Sequence, residues 1–201
     1  MTSEPSETRD APSSAVPSTK LLRHPERSIS GDIADILARS KVAHVGIVEN
    51  GWPVVIPMTY AFNPETPNVL YIHGSQLARI LGGAAASARA CVTVTELSGL
   101  VYSKTALNHS MIYRSVIAFG TMRVVDDAET KGDVLRRMIG RYFDGRTEGR
   151  DFSAPTPEHL NMTKMVAIDV EAWSAKSRAH GAAGPGDDDP TVPGTSGVKP
   201  V

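Results

Sequence analysis

Between residues 41 and 125 the sequence is a succession of strand-type runs joined by turn signals, with room for one short helix among them. "KVAHVGIVE" alternates apolar and polar positions, and Asn50-Gly51 follows it, the dipeptide that best suits a two-residue hairpin. "WPVVIPMTYAF" is the return strand, "NPETPN" a second turn, and "VLYIHGS" a third strand. "RACVTVTELSGLVYSK" and the run from "NHSMIYRSVIAFG" through "GTMRVVD" form a longer pair. Strands joined mostly by turns pair with their neighbours as antiparallel sheet.

Helices frame these strands. In "SISGDIADILARS", Ser30 is the expected N-cap, with Ile33, Ile36 and Leu37 at helical spacing. "QLARILGGA" puts Leu77, Ile80 and Leu81 on one face and ends in glycines. "DAETKGDVLRRMIGRYF" carries the stripe Leu135, Met138, Ile139 and Tyr142, expected to pack on the core or a dimer partner. After a loop, "KMVAIDVEAWSAKSR" supplies a last strand. The prediction is a mainly β, α+β fold, an antiparallel barrel with helical additions. Strand and helix do not alternate as in a doubly wound sheet, and neither GxGxxG nor GxxxxGK[ST] is present.

At 201 residues the chain suits one domain. A net charge of −1 argues against blanketing nucleic acid or an anionic membrane, so any anion site must be local. The single cysteine, Cys91, excludes an intramolecular disulfide and a cysteine-built metal centre. It reads as a buried strand thiol in a reducing, cytoplasmic setting. Neither a membrane span nor a secretory signal is apparent, and no metal site is expected. The Ser-, Pro- and Thr-rich segment 1–20 and the segment 181–201 are expected to lack structure, leaving the domain to residues 21–180.

Four places set polar groups against apolar strands. Pro57 interrupts the ladder within "VVIPMTY", which marks an edge or a bulge and frees neighbouring backbone groups for a planar ligand. "YIHGSQLAR" ends a strand in His73, Gly74 and Ser75 and turns into a helix carrying Arg79, a pattern suited to a phosphate cup. Arg114 sits beside Ser115 on the same face as Ile112, Val116 and Ala118, so its guanidinium needs an anionic partner. Trp173, Lys176 and Arg178 close the final strand with an aromatic and two cations. Together they suggest a planar, phosphorylated, anionic ligand.

These fragments resemble the pyridoxamine 5′-phosphate oxidase-like, FMN-binding split β-barrel family, nearest its flavin-nucleotide-binding, nitroimidazole-reductase branch. The carriers are "RHPERS" at 23–28, "NGWPVVIPMTYAF" at 50–62, "LYIHGSQLARIL" at 70–81, "GLVYSKTALNHSMIYRSVIAFGTMRVV" at 99–125 and "WSAKSR" at 173–178. The resemblance implies a six-stranded antiparallel split β-barrel that dimerises with FMN at the subunit interface. In that picture Val55, Ile56, Pro57 and Met58 run beside the flavin ring. His73, Gly74, Ser75 and Arg79 hold the phosphate, Arg114 and Ser115 are further flavin candidates, and Trp173, Lys176 and Arg178 reach in from the partner. Arg114 either reaches FMN or pairs with an acid across the dimer interface.

What the resemblance implies for activity is an oxidoreductase passing electrons from reduced flavin to a small planar acceptor, with His73 as proton donor. The chain lacks the Ser-Arg-Lys phosphate cluster and the C-terminal substrate motif of true pyridoxamine-phosphate oxidases, having "WSAKSRAHG" instead. Three alternatives keep the fold. They are a non-catalytic flavin carrier or sensor, a barrel using the deazaflavin F420, and a haem protein with His73 or His109 as axial ligand.

Overall fold

A computed structural model describes residues 15–82 and 88–201, without the side chain of Arg79. The expectations for residues 1–14, for the glycine-rich end of the second helix and for the reach of Arg79 lie outside the described part.

One antiparallel sheet organises the molecule. Its strands are β1 (Ala43–Glu49), β2 (Trp52–Met58), β3 (Ala61–Asn63), β4 (Thr66–Ser75), β5 (Arg89–Tyr102), β6 (Ser110–Val125), β7 (Thr163–Arg178) and β8 (Gly197–Pro200). The order across the sheet is β2-β1-β5-β6-β7-β4-β3, with β8 on β5. The curled sheet is the expected split barrel, built from eight strands rather than six. The Asn50-Gly51 hairpin forms as read: both residues have positive φ, and Glu49 pairs with Trp52.

Both extra strands have local causes. The run "WPVVIPMTYAF" breaks at Tyr60, whose N–H donates to the Tyr142 hydroxyl at 3.0 Å instead of to a ladder carbonyl. The Tyr60 ring turns inward and its hydroxyl donates to Leu37 O at 2.7 Å. Beyond the break the chain resumes as the three-residue β3. Strand β8 belongs to the segment expected to lack structure. β1 covers β5 only over Cys91–Val94, and Gly197–Pro200 pairs with Gly99–Tyr102 further along that edge. A bare edge invites non-native pairing, and here the chain's own C-terminal segment covers it. Asp187 anchors that segment, accepting from Ser103 Oγ and Lys104 N.

Among the described residues, four α-helices complete the fold: α1 (Ile33–Arg39), α2 (Arg79–Gly82), α3 (Ala128–Tyr142) and α4 (Pro157–Met162). Asp32, not Ser30, is the N-cap of α1 and makes no side-chain cap bond. Of the apolar face expected on α2, Ile80 and Leu81 are buried while Leu77 is exposed. In α3, Asp127 caps Thr130 N at 2.7 Å, and Val134 and Met138 pack with Ala61, Val125, Met165 and Ala167. Helix α4 was unexpected in sequence because it is so short. Its Thr156 accepts from His159 N, and the His159 ring accepts from Thr156 N, a reciprocal cap. The main core lies inside the barrel, among Val45, Ile72, Leu70, Val92, Ala118 and Ile168. No described helix is long and apolar enough to cross a membrane.

Candidate functional site

Strand alternation decides which predicted residues can meet a ligand. On β6, Val116, Ala118 and Met122 are buried, so Tyr113, Ser115, Ile117 and Phe119 face outward. Register places Thr93 and Cys91 of β5, and Ser174, Lys176 and Arg178 of β7, on that same outer face. On the first hairpin, His44, Gly46 and Val48 pair with Pro57, Val55 and Pro53 and also face outward. A cavity of about 460 Å³ opens on this face, with Gly46, Val55, Cys91 and Phe119 among its walls. Ala15, Val16 and Pro17 also line it. Farther along the face, Thr19 O accepts from Ser174 Oγ at 3.1 Å.

The first cluster of predicted flavin contacts therefore divides. Val55 and Pro57 lie on the outer face, whereas Ile56 and Met58 pack against the barrel core. Within the sheet β2 pairs with β1 alone, so the segment around Pro57 is the edge strand its sequence indicates. Cys91 is half-buried and lines the outer cavity rather than lying in the core. Burial pushes its thiol pKa up, against a hydrogen bond with Thr93.

At the last strand Ser115 stands beside Lys176, and Arg178 beside Tyr113. Trp173 points inward instead and packs with Ile36, Val116 and Ala175, because it pairs with the inward-facing Ala118. Arg178 is only 7% exposed and donates to the carbonyls of Met111, His180 and Gly181.

Arg114 finds its anions within its own chain. It pairs directly with Glu96 across β5 and β6, with Nε to Oε2 at 3.0 Å, and reaches Asp35 of α1 at 2.7 Å. Glu96 and Asp35 together supply the charge that the guanidinium needs.

The end of β4 forms a separate site. Gly74 and Ser75 pair with Lys164 and Thr163 of β7, and Ser75 Oγ accepts from Leu77 N at 3.2 Å. Helix α2 follows and is described over Arg79–Gly82. His73 opens on a cavity of about 470 Å³ lined by Thr59, by Leu135, Met138 and Ile139 of α3, by Phe143 just beyond that helix, by Phe152 and by His159. The Nδ1 atom of His73 is buried and makes no hydrogen bond among the described residues. Burial holds the imidazole pKa below its ordinary value, which favours the neutral ring. His109 is exposed, its Nδ1 against Thr105 O at 3.2 Å.

Sequence reading missed His44 and Phe119 on the first cavity and His159 and the α3 face on the second. Phe119 was recoverable, since it shares a face with Ser115 at strand spacing. The convergence of α3 with His73 was not, because it depends on a long-range crossing.

A model of the pyridoxamine 5′-phosphate oxidase family matches residues 30–177. No curated protein matches. Among solved structures, the FAD and haem binding protein from Mycobacterium smegmatis is 30% identical, with a TM-score of 0.76 over 87% of this chain and 84% of that one. The flavocytochrome Anf3 from Azotobacter vinelandii is 25% identical, with a TM-score of 0.78 over 91% of this chain and 83% of its own. A candidate 5-nitroimidazole antibiotic resistance protein from Bacteroides thetaiotaomicron shares the fold at 21% identity and a TM-score of 0.60, over 74% of this chain and 85% of that one.

Proposed function

The chain belongs to the pyridoxamine 5′-phosphate oxidase family, and we propose that it binds a flavin on its outer sheet face and passes the flavin's electrons to a small planar acceptor. The observation that carries this reading is the cavity walled by Gly46, Val55, Cys91 and Phe119, beside an edge strand. A flat ring fits against those walls. At Gly46 a side chain would project between Cys91 O, 3.4 Å away, and Val55 Cγ2, 3.6 Å away, so glycine keeps the surface low. The free edge of β2 offers backbone donors and acceptors to a ring that is polar along one side. Bound flavin would supply the redox chemistry, while the chain supplies orientation and exclusion of water.

Family resemblance favours FMN and a homodimer. Within one subunit the candidate groups divide between the outer face and the end of β4. FAD is the competing flavin, because the M. smegmatis relative is described as binding FAD.

A second reading rests on His73. Its buried, unpartnered Nδ1 and the apolar walls from α3 fit a haem, the group that the M. smegmatis relative is also described as binding. His73 would hold such a group through its imidazole, and Leu135, Met138 and Ile139 of α3 would cover its apolar surface. The two readings use different cavities and can hold together.

The deciding experiment is a visible spectrum of freshly purified protein, then release and mass measurement of any chromophore. Two flavin bands and a released mass of FMN or FAD support the first reading, and a Soret band supports the second. Colourless protein that takes up neither flavin refutes the first reading.

A further inference from the structure

We propose that Arg27, Lys176 and Arg178 form an anion site for a phosphoryl group, far from the end of β4 where sequence places a phosphate. A short 3-10 turn, Pro25–Arg27, leads into Ser28, which bridges to Lys176, while Ile29 N donates to Ala175 O at 3.1 Å. This pairing delivers Arg27 to the end of β7. Lys176 and Arg178 face outward there, and Lys176 Nζ lies 5.9 Å from the centre of the Tyr113 ring. The run of β7 from Lys164, the partner of Gly74, to Lys176 extends for about 40 Å.

The local charges do not balance. Among the described residues, Arg178 meets three carbonyl oxygens and no carboxylate within ion-pair distance. Burial first, and the nearby positive charge of Arg27 second, lower its proton affinity, against the opposing influence of Tyr113. Arg27 Nε is buried and finds no hydrogen-bond partner among the described residues. Its one ion-pair neighbour among the described residues, Glu26, lies 3.9 Å away, is 64% exposed, and already contacts His24 Nδ1 at 3.0 Å.

Gathering cations around an unsatisfied guanidinium donor is unfavourable unless an anion completes the group. A phosphoryl dianion suits it better than a carboxylate, because it carries more charge and offers oxygens in several directions to guanidinium and ammonium donors. The hydroxyl of Ser28 and the phenol of Tyr113 are further donors on neighbouring positions.

Titration of the full chain with pyrophosphate at low ionic strength, followed by calorimetry, tests this site. Saturable binding is expected, weakened about tenfold in Arg27→Gln and less in Arg27→Lys. Thermal melting of each variant checks the fold. Failure of the wild type to bind pyrophosphate, or equal affinity in Arg27→Gln, overturns the proposal. FMN and FAD titrations then identify the source. Weakening of FAD alone assigns the adenylate phosphate, and weakening of both assigns the flavin phosphate. Weakening of pyrophosphate alone assigns a separate phosphorylated ligand, also in support of the site. If neither flavin binds the wild type, the flavin reading fails while the pyrophosphate result stands.

Discussion

Arg114 and Glu96 face each other directly across β5 and β6, and their pairing fastens helix α1 to the sheet. Glu96 also accepts from Arg39 of α1 at 2.8 Å through its other oxygen, while Arg114 reaches Asp35 of the same helix. Four charges thus bridge helix and sheet. Burial alone would raise the Glu96 pKa, but hydrogen bonds from Arg39 and Arg114 outweigh it and hold the carboxyl below its ordinary 4.5. A depressed carboxyl pKa contributes stability above the unfolded value and loses it as acid protonates the group. Stability should therefore fall as pH drops below about 4.5, and Glu96→Gln should lose that part of the acid dependence. The variant should also be less stable by about 1–3 kcal/mol at pH 7, since two arginines lose their shared anion. Urea melts of both proteins across the acid range check this, and parallel curves would refute it.

Gly120 is the second structural requirement. It sits at the register shift between β6 and β7, and a Cβ there would collide with the Asp169 carbonyl. Neither atom belongs to a flexible side chain, so the strands themselves must part. Gly120→Ala should cost about 1–3 kcal/mol or more through overpacking. A thermal melt detects this, and an unchanged midpoint would show that the bulge can relax.

These two positions separate what sequence could reveal from what it could not. Period-two alternation around Arg114 placed it on the apolar face and identified its need for an anion. It could not say that Glu96 would be the partner, because strand register between distant segments is set by turn and bulge geometry. The Asn50-Gly51 hairpin, helix α3 and the edge character of β2 were legible because local chemistry dictates them. Trp173, an aromatic among cations, was read as a ligand contact, and the pairing with Ala118 that turns it inward is a matter of long-range register. The C-terminal strand was missed because its glycine- and aspartate-rich approach has a disordered composition, yet Asp187 and an open edge of β5 give it a place.

Tyr60 and Arg141 hold the other end of α1. The guanidinium of Arg141 stands 4.4 Å from the Tyr60 ring centre and donates to the carbonyls of Leu37, Ala38 and Ser40. Tyr60 adds its hydroxyl to Leu37 O and Ser40 O. Orphan carbonyls at the helix end are thereby satisfied from β3's approach and from α3. Tyr60→Phe should cost about 1–2 kcal/mol, the value of a buried hydroxyl bond. Arg141→Ala should cost more, since it removes several donors and a cation above three aromatic rings. Ranking the two variants by chemical denaturation tests the assignment, and equal midpoints would place the support elsewhere.

His73 links stability to the ligand question. Burial lowers its pKa, so the folded chain keeps it neutral at a pH where the unfolded chain begins to protonate it, near 6.5. Its contribution to stability is complete above that value and is lost as pH falls toward the folded pKa. The loss from this one site cannot exceed about 1.4 kcal/mol per pH unit. Replacing it with phenylalanine fills the space with an apolar ring and removes the titration. Between pH 8 and 5, the unfolding free energy of the wild type should decline more steeply than that of His73→Phe. Parallel slopes would mean that the ring titrates in the native state as it does unfolded. The same variant should lose any Soret band while retaining any flavin bands, because the outer cavity lies on a different face from His73. Loss of the flavin bands together with the Soret band would instead join the two cavities into one site.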